Sequence, residues 1–210
     1  MRTKAVKTAA IIGAAAALAA AGPAAAQQTT ISEGHVDALS FSYDENANEI
    51  EIDVDLHEAG QVLDPADVTF DVHDEHLATL SDPIECRADT GDNWVLPRTE
   101  ESGQIWAGWS TEGLDLSDFG GDIHVDLIDA DTPSGGEVAV YDATSGTTRF
   151  HTDPACGASG TDITESHHHP TWVFTEPGTY ELTFQAEGDH ATDGAVQSDP
   201  VTYTFEVGGV

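Results

Sequence analysis

Positive charge is what this chain has least of. Its 210 residues carry six Lys and Arg against 39 Asp and Glu, a formal charge of −33. Past the first few residues only Arg87, Arg98 and Arg149 remain, and no lysine at all. Such a surface repels phosphate backbones and anionic lipid, which argues against nucleic acid and acidic membranes as partners and favours cations. Cysteine is nearly as scarce, with Cys86 and Cys156 the whole complement. No C-x-x-C spacing and no basic neighbourhood surrounds them, so in an exported chain the pair reads as one disulfide. Long apolar runs are confined to the N-terminus, and no amphipathic helix of three turns is visible. The chain also lacks G-x-S-x-G, H-E-x-x-H and a D-x-D-x-D-G calcium loop. These absences leave no positive reason to read an enzyme, and calcium becomes the weaker option for a bound ion.

The N-terminus supplies the reason to call the chain exported. Arg2, Lys4 and Lys7 precede the apolar run AAIIGAAAALAAA, and Pro23-Ala24-Ala25-Ala26 then precedes Gln27. This pattern predicts a signal peptide over residues 1–26, with an apolar stretch too short and too alanine-rich to stay in a membrane. Its loss takes three cations and moves the formal charge from −33 to −36. Residues 27–210 suit one domain, secreted and without a membrane span, its acidity a solvated surface. Nothing after the last strand resembles a wall-sorting tail.

Apolar–polar alternation dominates that domain. In EIEIDVDL (49–56) Ile50, Ile52, Val54 and Leu56 share a face and the acids take the other, the mark of a half-buried strand. Similar runs occur at 67–72, 104–109, 122–128, 137–141, 179–184 and 201–207, separated by turn residues such as Asp64-Pro65 and Glu176-Pro177-Gly178. Many short strands predict an all-β, antiparallel, immunoglobulin-like β-sandwich. The stretches 81–103 and 151–168 read as long loops that the cysteines tie together. Trp94, Trp106, Trp109 and Trp172 read as core anchors rather than a sugar platform.

Histidine is the chemistry-bearing residue that stands out. In SHHHPTWVF, period-two alternation puts His167 and His169 on one face and His168 on the other, and Pro170 keeps His169 extended. Two imidazoles on one face can chelate a divalent ion if further ligands approach. The competing reading is a polar loop leading into the strand TWVF, with Trp172 and Phe174 in the core. Further ligands are at hand in His35, within GHVD, and His124, within HVD. Each is followed two residues later by an acid, Asp37 and Asp126, as an orienting partner or alternate ligand. His57, His73, His76, His151 and His190 show no such pattern and read as surface residues.

Three motifs in order resemble a known family. GHVD (34–37), NWVLPRTEESGQIWAGWSTEG (93–113) and HHHPTWVFTEPGTYELTF (167–184) are similar to signatures of the bacterial choice-of-anchor M domain. The likeness spans roughly residues 33–207. His167, His169 and Trp172 fall on that family's H-x-H-x-x-W, and His35 on its GHVD, whereas His124 has no counterpart there. The resemblance implies an exported, surface-associated protein linked to metal-type ABC transporter loci, with zinc or manganese the ion handled. The combined expectation is a secreted, non-enzymatic sandwich holding a divalent metal, most simply zinc, through His35, His124, His167 and His169. An adhesin-like interaction module with structural histidines is the alternative.

Overall fold

The computed structural model describes residues 28–209, so the signal-peptide expectation lies outside the described residues. In chain order the strands begin with β1 (Thr29–Ile31), β2 (Gly34–Asp44), β3 (Glu49–Leu56), β4 (Gln61–Leu63), β5 (Val68–Val72) and β6 (Leu77–Leu80). They continue with β7 (Gly91–Leu96), β8 (Ile105–Gly113), β9 (Ile123–Asp131), β10 (Val138–Tyr141), β11 (Thr148–His151) and β12 (Gly160–Ile163). The last are β13 (His167–His168), β14 (Thr171–Phe174), β15 (Gly178–His190), β16 (Gly194–Gln197) and β17 (Val201–Val207). Among the described residues the only helical pieces are short 3-10 turns.

The strands form three sheets around one core, and the fold is all-β and sandwich-like as the alternation predicts. The largest runs β1-β5-β17-β15-β9-β12, with β16 on β15; the others run β11-β10-β14-β7-β6 and β13-β8-β2-β3-β4. Phe205 of the first sheet lies 5.8 Å, ring to ring, from Trp172 of the second, and both are buried. Each fully buried phenylalanine of this kind contributes roughly 2–3 kcal/mol through lost apolar exposure.

Two expectations need correction. Three pairings, β1 with β5, β5 with β17 and β2 with β8, are parallel rather than antiparallel. Alternation specifies which face of a strand is buried but carries no signal for its neighbour's direction. The stretches 81–103 and 151–168 are not mere loops either, because they contain β7, β12 and β13. The cysteine expectation is met: Cys86 and Cys156 are bonded, with Cα atoms 5.6 Å apart and a sequence separation of 70.

One irregularity positions the site. Along β2, Asp37 faces Asp55 of β3 and the next partnered residue, Ser40, faces Asp53. On the other side Asp37 faces Gly108 of β8, and Leu39 faces Trp109. Thus β2 carries one extra residue relative to both neighbours, a bulge at Ala38–Leu39. Val36 points into the core before it, and Leu39 and Phe41 after it. The bulge thereby turns Leu39 and Phe41 into the core with Val36, while His35 and Asp37 keep the opposite face.

Candidate metal centre

Six of the interatomic separations define the centre. The Nε2 atoms of His35, His167 and His169 lie 3.2, 3.0 and 3.2 Å from one another. Asp37 Oδ1 lies 2.7 Å from His167 Nε2, 3.7 Å from His35 Nε2 and 3.8 Å from His169 Nε2. A tetrahedron with ligands ~2 Å from its centre has edges of about 3.3 Å, within this range. Hydrogen bonding alone does not account for the arrangement. Each Nε2 either carries a proton or a lone pair, so a triangle of three must bring at least one like pair together. A cation at the centre would turn three lone pairs and a carboxylate oxygen into one favourable set. The four residues form a group able to hold a metal ion.

Three strands and the segment after β13 build it. β2 supplies His35 and Asp37 on one face by period two. The short β13 pairs with β8, His167 opposite Ser110 and His168 opposite Trp109. His169 then leaves the ladder, and after Pro170 the chain enters β14 in a different sheet. Proline, with no N–H to donate, suits that crossing. β8 lies between the two ligand-bearing strands and contributes a gap. A Cβ on Gly108 would stand 2.5 Å from both His169 Nδ1 and the His168 carbonyl oxygen.

Trp106, the cross-strand partner of His35, forms the wall. Its ring stacks on His169 at 3.9 Å and 20°, and its Nε1 donates to the Arg98 carbonyl oxygen at 3.0 Å. Trp94, Trp109 and Trp172 are buried as expected, whereas Trp106 is half-buried at the site. His168 points away as the alternation predicts, its Nε2 3.0 Å from Asp142 Oδ1 and its ring packed on Trp109.

The surroundings favour lone pairs over protons. Burial holds His169 down at about 3, helped by its neighbours His35 and His167. Burial also lowers His35, with Asp37 opposing it. Neutral imidazole is the metal-binding form. Asp37 is almost wholly buried, at 2 % exposure.

His124 is not brought to this cluster. It stands on β9 in the largest sheet, its Nδ1 2.6 Å from Asp162 Oδ1 and its Nε2 3.4 Å from Asp126 Oδ1. The hydrogen bond to Asp162 raises its pKa, which favours imidazolium over a ligand. Asp37, expected as an orienter or alternate, is within the cluster itself. His57 is exposed as the surface reading has it, but its ring lies 5.1 Å from that of His35, at the edge of the cluster. His76 and His151, read as surface residues, are buried at 2 % and 6 % exposure. The signal for His57 was its i, i+2 spacing from Asp55 at the end of a well-marked strand.

The fold and this geometry define an all-β protein with a three-histidine, one-aspartate cluster that could hold a metal ion. Among the described residues no helix is long and apolar enough to cross a membrane. No protein-family model, no curated protein and no solved structure matches the chain.

Proposed function

We propose that this is a secreted, non-enzymatic metal-binding protein that takes a divalent transition ion, zinc first, through His35, Asp37, His167 and His169. The observation that carries the reading is the mutual approach of three imidazole Nε2 atoms and one carboxylate oxygen within 3.8 Å. Imidazole and carboxylate donors in a four-cornered arrangement suit Zn²⁺, with Mn²⁺ and Ca²⁺ less well matched to three nitrogens. Four protein ligands leave no open corner for substrate, which fits capture, delivery or structural use better than hydrolysis. The acidic surface would concentrate cations around the site without selecting among them.

The resemblance to the choice-of-anchor M domain supports a role beside a metal-type ABC transporter at the cell surface. Its first and third motifs contain all four of these residues. The disulfide fits an oxidising, extracellular compartment. Zinc titration by calorimetry tests the reading directly. Wild-type protein and H124A should bind one high-affinity equivalent alike, and H167A/H169A should lose it. Equal weak binding by all three would support the interaction-module alternative, with structural histidines.

A further inference from the structure

We propose that a second divalent cation binds beside the first, between Asp37, Asp55 and His57, with the Asp37 carboxylate shared by both ions. This rests on the metal-binding reading of the first cluster and extends it into a two-ion centre. Asp37 and Asp55 are direct partners in the antiparallel β2–β3 ladder. Like charges directly opposite each other are destabilising, and Asp37 is too deeply buried for water to screen the pair.

No lysine or arginine relieves the pair. The three arginines are the only Lys or Arg among the described residues, and all are engaged elsewhere. Arg149 pairs with Asp142, Arg98 donates to Thr144, and Arg87 donates to the Gly146 carbonyl. The charge that is missing can come from ions.

The geometry then supplies a ligand set. Asp37, Asp55 and His57 each offer a ligand atom within 4.8 Å of the others. Asp55 and His57 stand two apart, at and just beyond the end of β3, so both project from the face that carries Asp37. The His57 ring lies 6.2 Å from that of His167, which makes this group the immediate neighbour of the first. Only one oxygen of Asp37, Oδ1, is occupied with the three imidazoles. A carboxylate has two, and bridging two cations is ordinary carboxylate chemistry. Two carboxylates and one imidazole make a harder donor set than three imidazoles and one carboxylate, so Mn²⁺ competes better here than in the first position. With His57 exposed and fewer ligands, the second ion should bind more weakly and leave first.

Native mass spectrometry and calorimetry with Zn²⁺, in excess Mg²⁺ to suppress loose surface binding, test this on wild type, D55N/H57Q and H167A/H169A. The expected result is two zinc ions per wild-type chain and one, the tighter, in D55N/H57Q. Should the double variant fail to fold by circular dichroism, H57Q alone, at an exposed position, repeats the comparison. One equivalent in wild type, with D55N/H57Q indistinguishable from it, would overturn the second site and leave the first standing; Asp55 would then be only a countercharge. Two equivalents in D55N/H57Q would also overturn it. No zinc in any form would overturn both readings.

Discussion

Gly108 stands directly across from Asp37 in the parallel β2–β8 register, and its missing side chain leaves the gap that the His169 ring fills. A strand that supplies no ligand therefore decides whether two other segments can meet. The wild-type pair is Gly108 and His169, not Gly108 and Asp37 alone, because the close approach is to Nδ1 and to the His168 backbone.

That relationship makes G108A an informative variant. The new methyl would meet backbone as well as a ring, so the overpacking should cost about 1–3 kcal/mol of stability. Zinc affinity should fall at least tenfold, since His169 must move. Thermal melting of metal-free protein and calorimetry of the zinc complex read the two effects separately.

Trp106 should matter to the ion although it contributes no ligand atom. Replacing a group that orients a metal-binding histidine typically costs ~10–100-fold in affinity. W106A is therefore expected to bind zinc about tenfold more weakly, and W106F, which keeps a stacking ring, to stay near wild type. A zinc affinity in W106A equal to wild type would show that the stack does not orient His169.

Stability should depend on pH through His76. Its Nε2 accepts the Ile105 N–H at 2.9 Å and its Nδ1 lies 3.2 Å from the His73 carbonyl oxygen, so the neutral form is fully used. Burial pushes its pKa down to about 4. The unfolded chain takes up this proton as pH falls below ~6.5 while the folded chain does not. Stability is therefore lost between about 6.5 and 4 and the contribution saturates below, with His151, also lowered by burial, acting in the same sense. Melting temperatures of EDTA-treated protein across that window should fall, and H76Q should flatten the slope.

The disulfide predicts a separate effect. Opening a 70-residue loop should cost about 4 kcal/mol in the chain-entropy model. For a domain of this size that corresponds to roughly 10 °C in Tm. C86S/C156S should show this loss while keeping its zinc stoichiometry, because neither cysteine belongs to the cluster.

How much of this was legible depends on the range over which each signal acts. β3 and β17 occupy the residues their alternation marks, because half-buried strands write their faces into the chain locally. The shared face of His167 and His169 follows from the same period. His124 shows the limit: its His-x-Asp pattern matches that of His35 locally, yet the sheets carry the two apart. The bulge left a trace in GHVDALSFSY, where the buried apolar positions slip from Val36 to Leu39 and Phe41. The shared face of Asp37 and His35 follows from their i, i+2 spacing ahead of that slip, whereas the slip itself is established only by the pairings with β3 and β8. The approach of His57 depended on those pairings too.

The positions of the two crosslinkable pairs along the chain have a topological consequence. Cys86 and Cys156 close a loop that lies wholly inside the interval from Asp37 to His167, two residues 130 positions apart that meet at 2.7 Å. An ion on the outer pair would be a second staple around the first, removing chain freedom that the disulfide leaves untouched. Strand β2, early in the chain, would then be held by coordination and the middle of the chain by sulfur, each tie answering to a different chemical condition of the medium.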